Sequence, residues 1–130
     1  MATKIFLNLP VKNLEVTKKF FTRLGYAFNP QYNGENARCM IINEVISIMM
    51  MREPFFQRFI LTQQSEEEAN LEKVITLPAK SREEVDKIIN LAVAGGATLL
   101  SAPNELEWMY CRGFLDLDGH CWEVMFMESL

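Results

Sequence analysis

Leu9-Pro10-Val11-Lys12-Asn13 in the first half of the chain returns as Leu77-Pro78-Ala79-Lys80-Ser81 in the second, and this echo decides how the rest is read. The offset is 77 − 9 = 68 residues in a chain of 130, close to half its length. Before each copy stands an apolar-rich stretch, Lys4 to Leu9 and Lys73 to Leu77, which reads as a strand. After each copy the pattern turns helical. In the first, Asn13 is a natural N-cap, Leu14, Phe20, Phe21 and Leu24 share one helical face, and Gly25 stops the helix. In the second, Ser81 and Glu84 have the spacing of a capping box. There Val85, Ile88, Ile89 and Ala92 form the apolar stripe, and Gly95-Gly96 closes it.

Each helix precedes strand-like segments. In the first half these are Ala27 to Asn29, Arg38 to Ile42 and Val45 to Met51, with Asn43-Glu44 as a turn. In the second they are Thr98 to Ser101, Trp108 to Leu115 and His120 to Met127, with Asp118-Gly119 as the turn, a dipeptide that favours hairpins. Pro54 to Thr62 reads as a short amphipathic linking helix, and Gln63 to Glu68 as a polar, solvated loop that includes the acidic run Glu66-Glu67-Glu68. The sequence therefore predicts an α+β fold made of two βαβββ repeat units. They occupy about residues 1–53 and 71–130 of a single domain of 1–130, joined by a linker helix at about 54–62. Each unit is expected to form a curved mixed sheet with its helix on the outer face, and the two sheets to surround a cleft. The plainer alternative is two unrelated αβ stretches sharing a turn.

Composition narrows the function. Hydrophobic residues make up 49% of the chain, which excludes a disordered polypeptide. The net charge is −4 and Lys18-Lys19 is the only adjacent basic pair, so the clustered cations that phosphate backbones demand are missing. No apolar run approaches the ~20 residues that cross a bilayer, and the N-terminus lacks the features of a signal peptide. Three cysteines (Cys39, Cys111, Cys121) with no CxxC pair, and His120 as the only histidine, fit neither a disulfide framework nor structural zinc. A cytoplasmic protein, without nucleic-acid or membrane partners, is the expectation.

Leu9-Pro10-Val11-Lys12-Asn13-Leu14, followed by a helix ending in Leu24-Gly25-Tyr26, is similar to the opening of vicinal oxygen chelate proteins, the glyoxalase/bleomycin-resistance/dioxygenase superfamily. Asp116-Leu117-Asp118-Gly119-His120-Cys121-Trp122-Glu123-Val124 resembles that family's closing signature. Together with Asn29-Pro30-Gln31-Tyr32, these motifs look like a bacterial subgroup named as lactoylglutathione lyases or extradiol-dioxygenase-like proteins. The resemblance implies a divalent metal held by one residue on the first and one on the last strand of each unit. In this chain the implied first-strand positions are Phe6 and Val74, and the last-strand positions are Glu123 and either Ile48 or Met49. Hydrocarbon side chains offer no ligand atom, and a thioether is a poor ligand for hard divalent ions. A one-residue slip brings in Leu7 and Ile75, which are also apolar, and a two-residue slip Asn8 and Thr76, weak ligands at best. No metal is expected; a divalent ion belongs to the alternative reading alone.

Period-two alternation gives the cleft its expected lining. Phe6, Asn8, Val74 and Thr76 are placed there from the first strands and Glu123 with Cys121, Met125 and Met127 from the last, while comparison with the family motif implies Cys111 and Met109 on the neighbouring strand. Met50 is assigned to the same methionine-rich wall. Such an apolar pocket with a few polar groups suits a small molecule. Glu123 is the candidate catalytic or ligand-binding carboxylate, against the plainer view of a carboxylate satisfied by its neighbours. His120 is expected to face solvent or cap the turn, Cys111 and Cys121 to be inert packing, and Tyr110 with Arg112 to form a structural ion pair with an acid, against the alternative of an anionic ligand or an adjacent subunit. Three functions remain in view: a metal-free small-molecule binder, a lyase or dioxygenase with a non-standard site at Glu123, and a structural module without ligand. A homodimer is expected in each case.

Overall fold

The computed structural model describes residues 5–59, 74–100 and 102–128. The chain divides into two compact units, Met1–Ala69 and Asn70–Leu130. The first contains β1 (Ile5–Val11), α1 (Leu14–Arg23), β2 (Ala27–Phe28), a 3-10 turn (Pro30–Tyr32), β3 (Ala37–Ile41), β4 (Ile46–Arg52) and α2 (Glu53–Phe59). The second contains β5 (Val74–Ala79), α3 (Arg82–Ala94), β6 (Thr98–Leu99), β7 (Asn104–Leu106), β8 (Met109–Leu115) and β9 (Cys121–Met127). Among the described residues no helix is long and apolar enough to cross a membrane.

The two sheets share one topology. In the first the order is β1-β4-β3-β2, with β1 parallel to β4 and the remaining pairs antiparallel. In the second the order is β5-β9-β8-β6, with β5 parallel to β9, and β7 adds to β8 beyond β6. Both parallel pairs are closed by a helical crossover, as a parallel neighbour requires. The repeated prolines lie in β1 and β5, each at the end of its sheet's strand order, where a residue without an N–H is tolerated. In β1 the amide of Ile5 donates to the carbonyl of Val45. Odd-numbered residues therefore face β4, and Pro10 sits at an outward position.

The helix ends follow the sequence closely. The Asn13 side chain accepts from the amide of Val16 at 3.1 Å, and Ser81 Oγ accepts from the amide of Glu84 at 3.0 Å. The return bond of the capping box goes elsewhere: the Glu84 carboxylate accepts from Lys80 N–H at 3.3 Å, one residue before the cap. Gly25 and Gly96 take positive φ values of 105° and 107° just past the two helices, a conformation that a Cβ disfavours.

In the first unit Leu9, Val11, Leu14, Phe20, Phe21, Ile48 and Met50 are buried. In the second the core is Leu77, Val85, Ile89, Phe114, Trp122 and Val124. Phe114 and Trp122 stack at 6.4 Å. The indole N–H of Trp122 donates to Asp116 Oδ2 at 2.8 Å, while Asp116 Oδ1 accepts from the amides of Asp118 and His120 at 2.8 and 2.9 Å. This buried carboxylate thus ties the β8–β9 turn to the core aromatic, and Gly119 supplies the left-handed residue of that turn at φ 82°.

Three details differ from the sequence expectation. Of the second-half segment 98–101, Thr98–Leu99 pairs as a strand and Leu100 does not, while residue 101 lies outside the described residues. An unexpected strand, Asn104–Leu106, covers the remaining edge of β8; it is short, polar and carries no β-branched residue, so neither composition nor alternation marks it. The linker helix starts at Glu53 and is described to Phe59. Its expected last turn and the loop at 63–68 lie outside the described residues.

Candidate functional site

In each unit the helix that follows the first strand, α1 or α3, lies over one face of the sheet, and side-chain bonds identify which. In the first unit Arg38 on β3 pairs with Glu15 of α1 at 2.6 Å, so the face bearing Arg38 belongs to α1. The registers Arg38↔Met50 and Leu9↔Met50 put Met50 on that same face. Met50 is 1% exposed and does not share a face with Phe6 and Asn8; its place in the expected lining is corrected. Register rather than composition decides this, because a run of three methionines carries no alternation. The residue that does face the same way is Met49, which pairs with Asn8.

Phe6, Asn8 and Met49 therefore lie on the face of the first sheet turned away from α1. Phe6 is 40% exposed and meets Tyr32 edge to face, with ring centroids 6.2 Å apart. Tyr32 reaches this position because Asn29 caps the 3-10 turn, its side chain accepting from Gln31 N–H at 2.9 Å. Sequence reasoning quoted this segment only for its family likeness; the Asn-Pro turn signal, followed through, points to Tyr32.

In the second unit Tyr110 and Arg112 both reach Asp86 of α3, at 2.7 and 2.9 Å. The Tyr110 hydroxyl bond, with help from Arg112, holds Asp86 below the usual carboxylate range, and the same bond raises Tyr110 above its own. The pair is thus committed to the helix side, as the sequence reading favoured. The opposite face carries Val74 and Thr76 from β5, paired with Cys121 and Glu123 of β9, and Cys111 of β8, paired with Met125. Val74 is 50% exposed.

Glu123 is the polar centre of this face. Thr76 Oγ1 donates to Glu123 Oε2 at 3.3 Å. Cys111 is 5% exposed and lies on the same face, where the Glu123 carboxylate acts on its thiol. Burial first, and then the negative charge and hydrogen bond of Glu123, push the thiol up to about 11. That makes Cys111 an unreactive packing residue at neutral pH. Directly across β8 from Glu123 is Gly113. A Cβ there would stand 3.1 Å from the Trp122 carbonyl oxygen, 3.2 Å from Leu100 Cδ1 and 3.8 Å from Glu123 Cγ. The glycine lets Leu100 lie beside the glutamate stem, a neighbour that sequence reasoning missed because a mid-strand glycine signals close approach without naming what approaches.

The equivalence Asn8↔Met49 with Thr76↔Glu123 assigns the structural counterpart of Glu123 to Met49 rather than Ile48. The positions that the resemblance assigns to metal ligands are then Phe6 and Met49 in one unit, Val74 and Glu123 in the other. Two are hydrocarbon, one is a thioether and one is a carboxylate, a donor set unsuited to the hard or borderline divalent ions. Among the described residues no three His, Cys, Asp or Glu side chains gather as a metal would need.

No family model matches the chain, and no curated protein does. Solved structures do. A hypothetical protein from S. aureus is 25% identical, with a TM-score of 0.77 over 99% of this chain and 95% of its own. A glyoxalase/bleomycin resistance protein/dioxygenase family enzyme from Burkholderia phytofirmans PsJN is 18% identical, with a TM-score of 0.80 over 97% of this chain and 99% of its own. The genomically encoded fosfomycin resistance protein FosX from Listeria monocytogenes is 17% identical, with a TM-score of 0.67 over 97% and 93%. The chain thus has the fold that its opening and closing motifs resemble.

Proposed function

We infer that this chain is a member of the vicinal oxygen chelate superfamily that binds a small, partly apolar molecule without the divalent ion the superfamily's enzymes use. The observation that carries this reading is the set of side chains at the four implied ligand positions: Phe6, Met49, Val74 and Glu123. Around them the faces turned away from α1 and α3 offer thioethers and aromatic rings with a few polar groups, the usual composition of a small-molecule site. Phe6 and Val74 remain accessible on those faces, where a ligand gains most from covering apolar surface. A fold of this kind hosts several chemistries, so the argument rests on the site rather than on the likeness.

A thermal-shift screen against metabolites and antibiotics, followed by calorimetric titration, tests the reading. The expected result is a ligand that raises Tm equally with and without added Mg2+, Mn2+ or Zn2+, and that loses affinity on Phe6→Ala. Turnover of a glyoxalase- or dioxygenase-type substrate that depends on a stoichiometric metal at Glu123 would replace it with the enzyme reading. A cytoplasmic homodimer is the form in which we expect the protein to act; a strictly monomeric species in light scattering removes the dimer from the proposal without touching the site.

A further inference from the structure

We propose that the face of the Asn70–Leu130 sheet turned away from α3 selects ligands that carry a protonated amine on an apolar body, with Glu123 as their anchor. This deepens the small-molecule reading and rests on it. Thr76 spends its hydroxyl proton, the one it has to give, on Glu123 Oε2 at 3.3 Å. What these two residues still present to a ligand is acceptor capacity: the remaining carboxylate sites, of which an ionised carboxylate has about four in all, and the hydroxyl oxygen. Met125, paired with Cys111 on this face, adds a weakly accepting thioether.

The charges agree with the donor count. Among the described residues no cation pairs with Glu123. Arg112 is bound to Asp86 on the opposite face, and Arg82 is bound to Glu105 and lies over the rings of Tyr110 and Phe126, which belong to that opposite face too. None of the described strand residues on the Glu123 face is basic. On β8 the residue paired with Glu123 is Gly113, which offers no side-chain donor, and Leu100 Cδ1 lies 3.2 Å from where a Cβ on that glycine would stand. A half-buried carboxylate so placed gains from a partner that brings positive charge and N–H donors at once. An anion of the same shape meets like charge with no compensating cation. The net charge of −4 adds a weaker long-range preference of the same sign.

Three isosteric probes test the inference on the intact protein by calorimetry at low ionic strength: phenethylamine as its ammonium ion, 3-phenylpropionate and 2-phenylethanol. The ammonium probe is expected to bind at least about tenfold more tightly than the carboxylate probe, and Glu123→Gln to level the two. If that variant does not fold, salt supplies the readout in the natural protein: the ammonium Kd must weaken with added NaCl while that of the alcohol stays put. Equal binding of all three probes, or a preference for the carboxylate, overturns the inference and leaves the small-molecule reading standing. A preference that survives Glu123→Gln removes Glu123 as the anchor and overturns it as well. Silence from all three probes, together with silence in the library screen, ends both.

Discussion

At Cys111 and Asp116, two acidic groups in the same unit are put to opposite uses. The Cys111 thiol is kept neutral by burial and by Glu123, with its titration pushed up to about 11. A group whose folded-state value lies above its unfolded one adds stability that is complete below the unfolded value, near 9.0, and is lost as pH rises through the folded one. The stability advantage of the natural protein over Cys111→Ala is therefore expected to shrink between these limits, read as the gap in denaturant midpoints across an alkaline pH series. A gap independent of pH would refute it. Asp116 is instead an acceptor for three N–H groups. Asp116→Ala strands the Trp122 indole and two turn amides, and about 2–4 kcal/mol of stability should go with them in equilibrium unfolding. The sequence carried both residues in plain view, Cys111 as a member of the expected lining and Asp116 only as part of a family-like motif. The threefold acceptor role depends on a turn geometry that no spacing rule states. Met49 and Met50 are the reverse case: identical side chains, told apart only by the register against β1.

At the level of elements, the strands and helices with a periodic signal were legible and those without one were not. Asn13 and Ser81 announced the helices because a cap is a local bond between neighbours in sequence. The strand at 104–106 had no such mark, since it owes its existence to a partner and a clasp from elsewhere. That clasp is Arg82 at the start of α3. Its guanidinium bonds Glu105 at 2.6 Å and the carbonyls of Leu106 and Glu107 at 3.2 and 2.8 Å, while covering Tyr110 and Phe126. A planar, five-donor fork suits this task better than a lysine. Arg82→Ala should raise amide exchange across 104–110 by an order of magnitude or more, while costing the whole protein only about 1 kcal/mol in unfolding. Uniform exchange with a larger global loss would show that the clasp supports the core rather than the β7–β8 hairpin.

For the molecule as a whole, the repeat is the feature that the sequence declared most openly, because duplication repeats pattern as well as fold. The sequence also displayed the chemical asymmetry of the copies, and left open only whether Ile48 or Met49 is the counterpart of Glu123, which the pairings Asn8↔Met49 and Thr76↔Glu123 decide. That asymmetry bears on metal dependence. With one carboxylate among the four implied positions, chelator treatment should leave Tm unchanged, and elemental analysis of protein prepared without chelators should find no stoichiometric divalent ion. A drop in Tm on chelation would contradict the donor count.

The duplicated prolines have a bearing on solubility. A terminal strand offers its outward amides as a template on which a foreign strand can add. At Pro10 that row is interrupted, and Pro78 recurs at the matching place in the other half. An incoming strand finds a gap where it would need a donor, so the duplication that built two sheets also left each with its own guard against sticking to its neighbours.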